Sequence, residues 1–472
     1  MPGALGGVKP ASLGLFLGFA TSAVLFAACG SESPSGSDGP GSFDPGGTQN
    51  PGTAPVLQNP GNAQNPGDTT NPGTSMTGTE GNPTLPGLDG TMMPGTAPGG
   101  NNPGTAPPVT MNPGTTPPTP PGTTVVPGAN EPTDCVISPP LATPVGYGAA
   151  TTGGGNAAAV VVSTYDEAQA VLDDYRDAFE EGTQTALVLR YDGTFDYSTI
   201  TDVCAQHTKA EQILEVKELE NLTIEGAPGS SANFGIKVTR ARNIIIRNMT
   251  MGLLPGGGSS DAITLEGNDT NGDVENVWVD HNELFSSTKS DCDGAGDTEF
   301  DGLIDIKKGA RRITVSYNYL HDHQKTGLLG SSDDDLTERY VTFHHNRYEN
   351  VESRTPLHRN GFIHAFNNYY GTITGSGINV RMGGVALIES NFFENALNPV
   401  TSRFSPEPGF WDLRNNHVGP NVTWDVGDDT LANADTWQST TSFPASELNY
   451  AYTPDRAGCI KQIVFAQAGA TL

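Results

Sequence analysis

Between Trp278 and Gly361 the chain concentrates residue types that bind ions and move protons, in the strings WVDHN, DGLID, HDHQKTGLLGSSD, VTFHHNRYEN and RTPLHRNG. Asp301 and Asp305 stand four positions apart in DGLID. In a straight strand that spacing is about 13 Å, too far for one cation whose oxygen ligands lie at about 2.3–2.6 Å. Gly302 permits a bend that brings the two carboxylates together. Basic residues crowd the same region, with 12 Lys and Arg between Lys307 and Arg414.

Histidine offers a competing metal chemistry. All nine histidines lie between His207 and His417, with His344-His345 and His321-x-His323 as the closest pairs. Neighbours in a strand point to opposite faces, whereas an HxH pair shares one. No carboxylate–histidine motif of a zinc enzyme accompanies them, so His281, His344 and His345 are expected to be core or hydrogen-bonding residues.

The charge balance narrows the partner. Setting aside the first 134 residues (8 acidic, 1 basic) leaves 45 acidic and 23 basic side chains, a net charge of −22. That excludes nucleic acid as the natural partner. A polyanionic sugar remains possible only if the cations gather locally, which the run from Lys307 to Arg414 suggests: a basic cleft on an acidic body, with divalent cations bridging the remaining repulsion.

Composition divides the chain into three parts. Residues 1–29 carry one cation, Lys9, and a mostly apolar run from Leu13 to Ala28 that is short and Gly-rich for a membrane span and reads as a signal peptide. It ends in LFAACG, similar to a bacterial lipoprotein signal with Cys29 lipidated, although Phe26 stands where Leu is usual. The expectation is an exported chain, anchored to an outer membrane or cell surface through Cys29 or otherwise secreted. Residues 30–134 are rich in Gly, Pro, Thr and Asn with recurring NPG, a composition that buries too little apolar surface to fold and predicts a tether. Residues 135–472 form one domain, expected to be monomeric. Its cysteines, Cys135, Cys204, Cys292 and Cys459, predict two disulfides with three possible pairings.

Repetition within that domain predicts the fold. NLTIEG, NIIIRN, NVWVDHN, RITVSYN, YVTFHHN, GFIHAFNN and GVALIESN begin at positions 221, 243, 276, 312, 340, 361 and 384. Short β-branched strands at this period predict an all-β, right-handed, single-stranded parallel β-helix with long loops on one side. Asn248, Asn282, Asn318, Asn346, Asn367 and Asn391 close most of these runs and are expected both to adopt left-handed backbone and to stack as a ladder. From Ser163 to Gly182 the pattern turns helical: Ala168, Val171, Leu172, Tyr175 and Phe179 share a face, Ser163 and Asp166 resemble a capping box, and the helix is expected to cap the N-terminal end.

The five strings, in this order, resemble the signature of pectate lyases of polysaccharide lyase family 1, and the resemblance runs from about Val145 (VGYGAATTGGG) to the C-terminus. It implies Ca2+ held by Asp261 (in SSDAITLEG), Asp301 and Asp305. It implies Arg354 as the base that removes the C5 proton of a galacturonate, with Lys325 and Arg359 binding the substrate carboxylate. Departure of the C4 oxygen then leaves a 4,5-unsaturated end. Some members carry a further acid where this chain has Ser259, so substrate carboxylates are expected to complete the calcium site. The polymer implied is polygalacturonate. Two alternatives are a pectin lyase acting on methyl-esterified polymer, which typically lacks the calcium carboxylates, and a non-catalytic surface-binding β-helix, which has no use for Lys325, Arg354 and Arg359 together.

Overall fold

The computed structural model describes residues 131–256, 260–268, 273–288, 300–425 and 436–472, with the backbone of Val126–Pro127. The signal segment, Cys29, most of the tether, Ser259 and Cys292 lie outside the described residues.

The seven repeated runs become consecutive strands of a 10-stranded parallel sheet that starts at Ala159–Val162 and ends at Phe410–Arg414. Between them the chain passes through two 8-stranded parallel sheets. One contains Glu283–Phe285, Tyr319–Lys325 and Arg347–Ser353; the other contains Ile263–Glu266, Ile304–Lys307, Gly327–Leu329, Leu357–Arg359 and Ile378–Arg381. Each coil contributes one strand to each sheet, which makes the molecule a parallel β-helix.

Register explains why those runs are β-branched. Leu222, Ile244, Val277, Ile313, Val341, Ile363, Ala386 and Trp411 pair in succession and form one fully buried column inside the coils. Two residues on, Ile224, Ile246, Val279, Val315, Phe343, Ala365, Ile388 and Leu413 form a second. Burial of each large member contributes about 1.5–3 kcal/mol, and no single coil can bury its own face. The residues between the columns point outward. Over Thr223, Thr314 and Thr342 lies the Gly-rich string from Val145, whose Gly154, Gly148 and Tyr147 amides donate to the three threonine hydroxyls at 3.0–3.1 Å. A Cβ on Gly148 would stand 2.7 Å from the Thr314 nitrogen, so glycine is what lets the two backbones meet.

The asparagine expectation divides into two jobs done by adjacent residues. The ladder runs Asn282, Asn318, Asn346, Asn368, Asn391, Asn416, each side-chain oxygen accepting the backbone and side-chain N–H of the preceding member at 2.8–3.1 Å. Left-handed backbone belongs to the residue before: His281, Tyr317, His345, Asn367, Ser390 and Asn415 all have φ between 51° and 55°. Asn367 and Asn248 therefore occupy the turn position rather than the ladder. Single-sequence reading merged the two because FNN offers both candidates, and it stopped one rung short of Asn416.

Helix α1 spans Tyr165–Glu180 and buries Ala168, Leu172 and Tyr175, with Val171 and Phe179 packed against the core. Its N-cap is Thr164, one residue later than expected: Thr164 Oγ1 accepts from the Glu167 amide, and Glu167 reaches back to the Ser163 amide. The helix meets the edge strand Ile213–Lys217, where Gln169 accepts from the Glu215 amide and Arg176 donates to the Lys217 carbonyl. Cys135 is bonded to Cys459, and Cys204 is also in a disulfide. Val126–Pro127, within the expected tether, pairs in parallel with His417–Val418 as an edge strand.

Candidate active site

The acidic half of the site is built by one sheet. Ile304–Lys307 lies beside Ile263–Glu266, setting Asp305 opposite Thr264 on the same face. Asp301 precedes the strand, and the chain bends at Leu303, one residue after the expected Gly302, which leaves Asp301 close to Asp305. Carboxylate oxygens of Asp261, Asp301 and Asp305 lie within 4.8 Å of one another. Among the described residues these form the one group of three or more His, Cys, Asp or Glu placed to share an ion. Gly302 forms the floor beneath them. Its amide donates to Asp261 Oδ1 at 2.8 Å, and a Cβ there would fall 2.4 Å from Asp305 Oδ1.

Sequence reading missed Lys307, whose Nζ lies 2.9 Å from both Asp261 Oδ2 and Asp305 Oδ2. Alternation from Asp305 would have placed it on the same face. Burial, then the neighbouring Asp261 charge, pushes the Asp305 pKa up to about 7 despite Lys307, and burial and Asp261 also raise Asp301. Burial works against the Lys307 ammonium, but Asp305 and Asp261 outweigh it and hold its pKa above the ordinary lysine value. An all-oxygen set of crowded, desolvated carboxylates fits a hard divalent cation.

His321 and His323 do not share a face. Asp322 between them has φ of 51°, which breaks the strand alternation. His321 stacks on Tyr319 with ring centroids 4.0 Å apart, while fully buried His323 sets Nε2 2.6 Å from the Asp301 carbonyl. Burial lowers its pKa to about 4, so it holds Asp301 as a neutral donor. His281, His344 and His345 are buried and hydrogen-bonded, to Asp280, to each other and to Asp455.

The basic half comes from the next coils. Lys325 ends Tyr319–Lys325 in register with Ser353, which brings it beside Arg354 at the end of Arg347–Ser353. Arg354 has φ of 66°, a left-handed conformation that costs a non-glycine residue about 1–3 kcal/mol and is retained only where the surroundings enforce it. The chain then turns through buried Thr355 into Leu357–Arg359, where Arg359 pairs in register with Arg381.

These groups share a cleft of about 680 Å³ lined by Asp301, Asp305, Lys307, Lys325, Arg354, Arg359, Arg381 and Arg403 among others. Of the 12 cations between Lys307 and Arg414, six line it; the others include Lys308, Arg347 and Arg414, paired to Glu266, Glu349 and Asp412 away from it. Arg381 is a second omission of the sequence reading. Burial and then Arg359 lower its pKa to about 10, and its buried Nε meets no hydrogen-bond partner among the described residues.

A parallel β-helix whose open cleft sets an acidic cluster against a row of cations is an architecture for acting on an anionic polymer. Residues 135–471 match the family model for pectate lyase. Pectate lyase 2 of Pectobacterium carotovorum is 42% identical over 344 residues, covering 68% of this chain and 89% of that protein. Pectate lyase II from Xanthomonas campestris superposes with a TM-score of 0.65 at 52% identity, over 69% of this chain and 98% of that one. A structure of pectate lyase C from Erwinia chrysanthemi with Ca2+ superposes at 0.63 and 39% identity, over 70% and 96%. The chain belongs to the pectate lyase family and is a polysaccharide lyase, which sets aside the non-catalytic reading.

Proposed function

We propose that this chain is a calcium-dependent pectate lyase that cleaves α-1,4-linked polygalacturonate by β-elimination and releases 4,5-unsaturated oligogalacturonates. The observation that carries this reading is the meeting of Asp261, Asp301 and Asp305 within 4.8 Å in a cleft also lined by Lys325, Arg354 and Arg359. The carboxylate trio speaks against the pectin lyase alternative, because an esterified polymer gives a bridging cation nothing to bridge.

Calcium held by Asp261, Asp301 and Asp305 would supply positive charge to anchor uronate carboxylates and favour their acidified C5–H. Lys325 and Arg359 bind the carboxylate next to the reacting carbon and spread the charge that gathers on it. Arg354, in its neutral form, takes the C5 proton. The electron pair left at C5 forms the C4–C5 double bond as the C4–O bond breaks, and the departing oxygen is protonated by water. His323 and Lys307 hold the acidic half in place.

The test is the ultraviolet absorbance of unsaturated uronate released from unesterified polygalacturonate, with calcium and then with excess EGTA. Activity only with calcium supports the reading; full activity in EGTA overturns the calcium part, and activity confined to methyl-esterified pectin overturns the substrate. The lipobox-like LFAACG supports export and tethering through Cys29. Cys29→Ser should release the protein from membranes, and unchanged fractionation would contradict the anchor.

A further inference from the structure

The guanidinium of Arg359 is held on two sides. Its Nε donates to Asp333 Oδ1 at 2.8 Å and its Nη1 to the Gly330 carbonyl at 2.9 Å, while Nη2 makes no hydrogen bond among the described residues. Asp333 stands at the rim with 40% of its side chain exposed, where an ion pair on a free loop would count for little.

This loop is not free. Asp335, two residues on, accepts from the Lys308 amide at 3.0 Å, the Ser331 amide at 2.9 Å and the Thr337 hydroxyl at 2.8 Å. It also pairs with Arg339, whose side chain is wholly buried. Arg339 Nη1 donates to the Asp335, Thr337 and Arg359 carbonyls at 3.2, 2.9 and 3.0 Å. One buried guanidinium thus ties the loop that carries Asp333 to the backbone of Arg359 itself. Arg381, in register with Arg359 one strand away, repels it. Asp333 supplies the opposite charge to both, and it opposes the lowering of the Arg381 pKa.

We propose that Asp333 is a positioning residue: held by the Asp335–Arg339 clamp, it fixes the plane of the Arg359 guanidinium so that the edge left unpaired faces the carboxylate of the reacting uronate. The inference rests on the pectate lyase reading. A planar donor fork rewards orientation more than charge, so the gain lies in the reacting state. The same carboxylate repels a polyanion. Its loss should therefore weaken catalysis without weakening substrate binding, and kcat and KM separate.

The experiment uses the full chain with calcium and compares wild type, Asp333→Ala and Asp333→Asn on polygalacturonate. Asp333→Asn keeps an oxygen acceptor at the same place. We expect Asp333→Ala to lose about tenfold or more in kcat with KM unchanged or lower, and Asp333→Asn to stay within about threefold of wild type in kcat. Thermal midpoints should match across the three proteins. Wild-type kcat in Asp333→Ala, equal losses in Ala and Asn, or a fall in midpoint parallel to the fall in kcat would each overturn the inference. Wild type yielding no unsaturated product would instead overturn the pectate lyase reading and the inference with it.

Discussion

Lys307 bridges Asp305 and Asp261, its Nζ 2.9 Å from an oxygen of each, at the place where three carboxylates converge. Both acids are almost wholly buried, so the ammonium is their nearby counter-charge. Lys307→Met leaves them uncompensated and should lower stability in EGTA by about 3–5 kcal/mol. Saturating calcium should restore most of that loss, and because the ammonium competes with a bound cation, calcium affinity without substrate should rise. Urea melts in EGTA and in calcium, with calorimetric titration, measure both effects. An equal loss of stability in the two conditions would contradict this account.

The asparagine ladder gives a stability prediction away from the cleft. Asn346 accepts from the backbone and side chain of Asn318 and donates to the Val315 carbonyl and to Asn368. Asn346→Ala strands the buried Asn318 backbone amide and removes one of the bonds to the Val315 carbonyl. At about 1–3 kcal/mol for an orphaned buried group, the loss should be about 1–3 kcal/mol in urea unfolding. A change below about 0.5 kcal/mol, the usual range for neutral surface sites, would mean the ladder is ornamental.

The parts of this fold that repeat were legible, and the parts set by three-dimensional closure were not. NIIIRN and NVWVDHN announce themselves because their columns recur in register. The strands Gly327–Leu329 and Leu357–Arg359 are three residues long and carry no period of their own, so the sheet that holds Asp305 and Arg359 could not be read as a sheet. Asp261, Asp301, Asp305, Lys325, Arg354 and Arg359 were singled out through motif resemblance; all but Asp261 line the cleft, and Asp261 shares the carboxylate cluster with Asp301 and Asp305. Lys307 and Arg381 were missed because their roles depend on which residue lies one rung away. The His321-x-His323 pair misled through a left-handed residue at Asp322 that no local rule announces.

Buried neutral histidines predict acid lability with a definite sign. Burial lowers the His358 pKa to about 3, against about 6.5 in an unfolded chain. Between those values the unfolded state binds the proton and the folded state does not, so stability is full above about pH 6.5 and is lost as pH falls toward 3. His358→Gln, able to donate to the Gly361 carbonyl that His358 Nε2 meets at 3.2 Å, removes that titration. Across the window its stability should fall less steeply than wild type by about 1.4 kcal/mol per pH unit. Parallel slopes in urea melts from pH 7 to about pH 4 would show that His358 takes no part.

The last prediction concerns the base. A guanidinium removes a proton only through its neutral fraction, which grows about tenfold with each pH unit well below its pKa. If Arg354 is the base, the chemical step should accelerate as pH rises toward about 9 or 10 until another step limits. Arg354→Lys keeps a titratable cation of lower intrinsic pKa, so on acidity alone it should be the better base. Geometry argues the reverse. Arg354 leaves the strand Arg347–Ser353 with φ of 66°, and its backbone is committed to one direction before the turn into Leu357–Arg359. A shorter side chain with a single nitrogen misplaces the acceptor by about an ångström, enough for about a hundredfold loss in kcat. Lys325, in register with Ser353, is the rival base, and Lys325→Ala should weaken substrate binding while preserving the alkaline rise. Initial rates against pH for the three proteins decide between them. Near-normal turnover in Arg354→Lys, together with loss of both activity and the alkaline rise in Lys325→Ala, would transfer the role to Lys325.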